Sequence, residues 1–285
     1  MKNILKTFIL LFLILAILTL TYLYKNPKIA VLCYHNIATD EEKQSFPDEA
    51  DWTISVDNFK EQLEYLKKHN YKTLSMDEFY QWKTGKLNLP YKSVLITFDD
   101  GFLSNYQYAF KLLSDYDMKA SVFVVGSFIE NSSSNSWDGN LKTYMTKDIL
   151  ENIKNEYPNI EIYSHSYNLH YQGAINQDEN VFVDDINNFN NFCTNTDVFC
   201  YPFGQFNSKI ENSLKECGYK MAFRYGPNRG DYKKASRNDN NYEIPRLNMS
   251  HGMGIFKFGI RLLLYNWHYY THMVKSLCKT FRIGG

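Results

Sequence analysis

The chain carries no surplus of charge: 31 basic residues stand against 31 acidic ones in 285. That balance removes the electrostatic footprint of a nucleic-acid binder. Cysteine is scarce. The five, Cys33, Cys193, Cys200, Cys217 and Cys278, are odd in number and form no C-x-x-C pair, so the spacing is not that of a disulfide framework. Cys33 and Cys200 lie inside apolar runs and read as reduced core residues. No G-x-G-x-x-G follows any strand-like segment, which leaves a dinucleotide fold without support. Internal repeats and a second domain are likewise missing.

What is present is apolar and aromatic. Hydrophobic residues make up 44% of the chain and aromatic residues 16%, with 23 Tyr and 20 Phe, enough for one large core. Residues 8–24 are an almost unbroken apolar run, preceded by Lys2 and Lys6 and followed by Lys25 and Lys28. Its length is near the lower limit for spanning a bilayer as a helix. Neither a small-x-small cleavage site nor a cysteine follows it, so residues 1–26 read as an uncleaved signal-anchor. The expectation is a single-pass cell-membrane protein with the rest of the chain outside the cytoplasm. The lysines are too balanced to orient the span by charge. A buried core helix is the competing reading.

From residue 28 onward, strand-like and helix-like segments alternate. Strands are expected at 28–34, 71–74, 93–98, 119–126, 160–164, 198–201 and 219–223. Helices are expected at 58–69, capped by Asp57, and after the capping box Ser75-Met-Asp-Glu78. Further helices follow at 105–115, 146–156, 183–192 and 208–216. Such alternation argues α/β, a parallel sheet with crossover helices. Seven or eight units closing into a barrel fit the length better than an open doubly wound sheet. Residues 27–254 would form this barrel, and 255–285, aromatic and basic, a helical tail on the barrel or on the membrane surface.

The central strand ends in Thr97-Phe-Asp99-Asp100-Gly101. Asp-Gly after a strand is a common turn signal, but strand carboxyl ends are also where α/β folds place chemistry. Adjacent aspartates at a strand end point different ways, so one can bind a metal while the other serves as a base. His165-Ser-Tyr-Asn-Leu-His170 follows the 160–164 strand. Histidines at i and i+5 would be about 140° apart on a helix. They can converge only from a strand-end loop that turns. With Asp100 they would make a two-histidine, one-carboxylate metal site.

Thr97-Phe-Asp-Asp-Gly101, His165-Ser-(x)3-His170 and Tyr201-Pro-Phe-Gly204 together resemble, in order, the motifs of the polysaccharide deacetylase or NodB-homology family, carbohydrate esterase family 4. The resemblance covers about residues 29–248. It implies a distorted (β/α) barrel of TIM type with about seven strands, behind the N-terminal transmembrane helix. It implies a divalent metal, zinc first, with Co2+, Ni2+ or Mn2+ as alternatives. It implies removal of N-acetyl groups from N-acetylglucosamine units of an extracellular or cell-wall polysaccharide. On this resemblance Asp99 is the general base, Asp100, His165 and His170 are the metal ligands, and Phe203 offers its backbone N–H to the oxyanion. Tyr201, Pro202 and Tyr167, next to these positions, are expected to touch substrate.

The departures point to a branch. The histidines are spaced i, i+5 rather than i, i+4, and Cys200 stands where many members carry an arginine. Both features, with Tyr34-His35-Asn36-Ile37 and Ile244-Pro-Arg246, resemble the poly-N-acetylglucosamine deacetylases of biofilm matrix, where an arginine such as Arg246 holds the catalytic aspartate. No Leu-x-His follows Arg246, so the candidates for the general acid are His251, ahead of His268, or else a water or no group at all. His35 is expected to make a structural hydrogen bond at the barrel mouth. Competing functions are a catalytically weak carbohydrate-binding protein on the same barrel, or an O-acetyl esterase.

Overall fold

The computed structural model describes residues 2–25, 27–194, 196–225, 233–250 and 252–263. Helix α1 (Lys2–Lys25) precedes β1 (Ala30–Tyr34), β2 (Asn36–Ala38), α2 (Asp40–Ser45), β3 (Thr53–Ser55), α3 (Val56–Lys68), β4 (Lys72–Thr73), α4 (Met76–Lys83) and β5 (Ser93–Phe98). A π-turn over Asn105–Ala109 leads into α5 (Phe110–Asp115). Next come β6 (Ala120–Val124), α6 (Gly126–Asn131), α7 (Lys147–Glu156), β7 (Ile160–Ser164), α8 (Glu179–Phe192) and β8 (Val198–Cys200). The chain continues through α9 (Ser208–Glu216), β9 (Met221–Phe223), β10 (Leu247–Asn248) and α10 (Ile255–Leu263).

The main sheet is entirely parallel and runs β10-β1-β5-β6-β7-β8-β9, with short β4 also paired to β5. It curls into a half-barrel, so the expected distorted barrel holds as a curled parallel α/β sheet. Between the outer strands, Ile244 bridges Phe223 and the following Leu247 pairs with Leu32 of β1. The segment 244–248 thus carries the curl from β9 toward β1.

Alternation along the strands sorts two cores. Val31, Leu95, Phe123, Val198, Cys200, Phe223 and Ile244 face inward, where Met76, Phe79 and Trp82 of α4 close one end. Leu32, Tyr34, Ile96, Phe98, Val122 and Val124 face outward onto α3, α5 and α7 through Phe59, Leu63, Phe110, Leu113 and Ile153. The capping boxes explain where helices start. Ser75 and Glu78 exchange bonds with each other's backbone at α4, and Thr146 caps α7. The cap of α3 is Ser55 rather than Asp57.

The expectation of a transmembrane helix over 8–24 is not supported: among the described residues no helix is long and apolar enough to cross a membrane. Phe8, Leu11, Phe12 and Leu15 of α1 are exposed. Of the expected C-terminal tail, α10 packs Phe258 and Leu262 into the outer core, with Phe258 edge-on to Tyr65 of α3. Residues 264–285 lie outside the described set.

Candidate active site

Inward alternation carries from Leu95 and Thr97 to Asp99, whose carboxylate enters the barrel mouth with 2% exposure. Arg246, arriving just before β10, meets it with two parallel bonds: Nη1 donates to Oδ1 at 2.7 Å and Nη2 to Oδ2 at 2.7 Å. The guanidinium is fully buried, lies over Phe123, and also donates to Thr97 Oγ1. Burial alone would raise the Asp99 pKa, but Arg246 outweighs it and holds the carboxyl below its ordinary range. The expected partnership of Arg246 with Asp99 is what the geometry displays.

Asp100 turns away because its backbone is left-handed, φ 72°, followed by Gly101 at 82°. A Cβ on Gly101 would come within 3.0 Å of Ile129 Cδ1, so the turn needs glycine on two counts. Asp100 Oδ1 lies 3.4 Å from His165 Nε2 and 3.0 Å from His170 Nε2. That oxygen is buried and has no properly aligned hydrogen-bond partner among the described residues. Burial raises the Asp100 pKa, but the two imidazoles prevail and keep the carboxyl well below the carboxylate range.

These residues fit a metal ion. Bonds of about 2.0–2.2 Å at a tetrahedral angle place neighbouring ligand atoms roughly 3.4 Å apart, close to the two separations seen. His165 Nδ1 sits 2.8 Å from the Cys200 carbonyl. That contact favours the tautomer whose Nε2 is free to ligate. The described groups of at least three potential ligands are this triad and two sets that share Asp99, one with Cys33 and His35, one with His165 and Cys200. Asp99 in those sets is already held by a cation, so Asp100, His165 and His170 are the better centre.

The remaining expected residues divide. Phe203 has a left-handed φ of 56° in the turn Pro202–Gly204, and its ring lies 5.0 Å from that of His170. Gly204 and Gln205 donate to Tyr201 and Pro202, closing the turn and setting Phe203 at the rim. Pro202 is half-buried at the start of that turn. Tyr201 is withdrawn from substrate contact: it is 1% exposed and stacks on Phe206 in the core between the sheet and α9. Tyr167 directs its hydroxyl to Glu130 and its ring to Phe192 and Gly126. His251 lies outside the described residues.

Three residues already singled out in the sequence, Cys33, Cys200 and His35, prove to surround the Asp99 carboxylate. Cys33 Sγ is 3.6 Å from Asp99 Oδ2, and Cys200 Sγ is 3.8 Å from Oδ1. Burial pushes both thiols up, so they stay protonated. His35 Nε2 is 3.9 Å from Asp99 Oδ2, and burial lowers its pKa against the pull of both aspartates. Its ring is flanked by Trp52 at 5.0 Å and Tyr225 at 6.1 Å, giving the mouth an aromatic wall with Trp52 39% exposed. The π-turn after Gly101 supports this side, because Asn105 donates to the His35 carbonyl and Ser104 to Asn36.

A curled parallel sheet with a buried, arginine-clamped carboxylate and an Asp-His-His triad at one mouth suits metal-assisted hydrolysis. Residues 86–222 match the family described as polysaccharide deacetylase. A putative polysaccharide deacetylase of Bacillus subtilis, YxkH, is 28% identical over 82% of this chain and 76% of its own. A poly-beta-1,6-N-acetyl-D-glucosamine N-deacetylase of Staphylococcus aureus is 26% identical over 80% of each chain. Among solved structures, Streptococcus pyogenes deacetylase PplD aligns with a TM-score of 0.69 at 22% identity, over 83% of this chain and 99% of its own. IcaB from Ammonifex degensii aligns at 0.66 and 20% identity, over 83% and 97%. Those two likenesses establish the fold.

Proposed function

We propose that this enzyme removes N-acetyl groups from N-acetylglucosamine units of a polysaccharide with the help of a divalent ion, zinc foremost. The observation that carries the reading is the pairing of an arginine-clamped Asp99 with the separate Asp100, His165 and His170 triad. One carboxylate is thereby kept for proton transfer and the other for ligation. The name of the Staphylococcus aureus relative supports the substrate class.

A metal held by Asp100, His165 and His170 would polarise the amide carbonyl and acidify a water. Asp99, held ionised by Arg246, accepts the proton of the attacking water. The Phe203 N–H, at the rim beside His170, donates to the developing oxyanion. Of the two histidines beside Asp99, His165 is assigned to the metal and His35 is left free. It rests neutral, takes over the proton that Asp99 has accepted from the water, and passes it to the leaving nitrogen as the C–N bond breaks. The aromatic wall of Trp52 and Tyr225 offers faces on which sugar rings stack.

Acetate release from purified poly-β-1,6-N-acetylglucosamine and from peptidoglycan, with and without chelator, tests the reading. Release that is abolished by chelation and restored by zinc is expected. Turnover of acetyl esters alone would make the enzyme an O-acetyl esterase, and saturable sugar binding without any release would make it a carbohydrate-binding protein.

We also infer that the apolar run 8–24 holds the enzyme at the cell membrane with the barrel outside the cytoplasm. Its sequence and the exposed apolar side chains of α1 support this. The full-length chain should sediment with membranes and leave them only in detergent, whereas a chain lacking residues 1–26 should stay in the supernatant. A full-length chain soluble without detergent would refute the anchor.

A further inference from the structure

The two histidines belong to one loop, and the loop is held from outside. It leaves β7 with His165 N–H donating to the Val124 carbonyl at 2.9 Å, and Ser166 then turns it through a left-handed φ of 75°. Such a turn in a non-glycine residue costs about 1–3 kcal/mol unless its surroundings enforce it. The Ser166 and Tyr167 carbonyls accept from the N–H groups of Gly126 and Ser127 at 3.1 and 2.7 Å. On the other side, one carboxylate gathers three successive amides. Asp185 accepts from Tyr167 N–H at 2.8 Å through Oδ2, and from Asn168 and Leu169 N–H at 2.7 and 3.1 Å through Oδ1. Asp185 lies mid-way along α8 and is 5% exposed. The residue after the third amide is His170.

We infer that Asp185 is the positioning residue of the metal centre: by folding 167–169 around its carboxylate it presents His170 to Asp100 before any ion arrives. The inference rests on the metal reading proposed above. It accounts for the i, i+5 spacing, because the extra residue is absorbed in a turn whose three N–H groups converge on a single acceptor. A side chain in this role acts on ligation as an outer-shell partner does, and losing one typically weakens metal affinity 10- to 100-fold.

The test is metal binding by the purified full-length chain, stripped and then titrated with Zn2+ or Co2+ alone. Asp185→Asn keeps shape and volume but sets an NH2 group against the Tyr167 N–H. Its Kd for Zn2+ should rise about 10- to 100-fold, and the Co2+ visible spectrum should change. Asp184→Asn, an exposed neighbour on the same helix, should leave both unaltered. An Asp185→Asn protein that melts earlier but binds Zn2+ within twofold of wild type, with an unchanged Co2+ spectrum, would reduce Asp185 to a structural residue and overturn the inference. A second measurement needs no variant. In metal-free wild type the Tyr167, Asn168 and Leu169 amides should exchange slowly with deuterium. Fast exchange that slows only on adding Zn2+ would mean that the ion orders the loop, and would equally overturn it. If wild type binds no stoichiometric Zn2+, or His165→Ala binds as tightly as wild type, the metal reading itself fails instead.

Discussion

Replacing Arg246 by lysine removes one arm of a two-armed clamp. Both arms are 2.7 Å long and the pair is buried on both sides, so little solvent screens it. An ammonium can bond one Asp99 oxygen but cannot reproduce the fork. Ten- to 100-fold slower turnover is expected, about 1.4–2.7 kcal/mol in the barrier. The pH dependence has a definite sign. As the proposed base Asp99 works ionised, and Arg246 keeps its pKa below the ordinary value against burial. A weaker partner lets the pKa climb, so the acidic limb of kcat/KM moves to higher pH. Stability follows the same linkage. In wild type the Asp99 contribution is present above the unfolded carboxyl pKa and is lost as pH falls through the lowered folded value. In Arg246→Ala only His165 and His35 still oppose burial, and the folded pKa rises. That variant should lose about 3–5 kcal/mol at neutral pH and recover part of the loss on acidification. Rate–pH profiles of the lysine variant and melting curves of the alanine variant at pH 5 and 8 provide the check. A lysine variant with wild-type rate and an unmoved acidic limb would show that Arg246 only braces the barrel.

Asp99→Asn should bind metal as wild type does while losing about 10²- to 10⁴-fold in turnover, since the amide cannot accept a proton; activity within tenfold of wild type would remove Asp99 as the base. His170→Ala should cost most of the bound metal by elemental analysis with little change in the far-ultraviolet circular dichroism, and full occupancy would dismiss it as a ligand. Gly204→Ala should destabilise by roughly 2 kcal/mol or more, because its φ is +66° and an added Cβ would lie 1.4 Å from the Tyr225 carbonyl oxygen. An unchanged melting temperature would contradict that packing.

The parts of the site legible in the sequence are those that sit at strand ends. Asp99 and Asp100 follow β5, His165 follows β7, and the Pro202–Gly204 turn follows β8, so local pattern and chemistry coincided there. The alternating strands and helices were legible for the same reason, each being a local period. The ladder of β2 and β3 was not, because each strand is three residues long and their pairing spans a 3-10 turn and α2. Sequence adjacency misled at Tyr201. Along β8 the side chains alternate, so Val198 and Cys200 face the barrel while Phe199 and Tyr201 face α9. The position next to a site residue on a strand points to the opposite face by default, and Pro202 begins a turn only after Tyr201 has been committed outward. Cys33 and Asp185 escaped for the converse reason: each reaches the site from another element, the neighbouring strand β1 or the middle of α8. No spacing records such a contact, because it exists only once the sheet has paired and curled. The same curl explains why Arg246 was legible as a partner for Asp99 only through resemblance. The two are 147 residues apart, and the physical bond between them depends on the segment 244–248 running beside β1 with its even-numbered side chains turned inward.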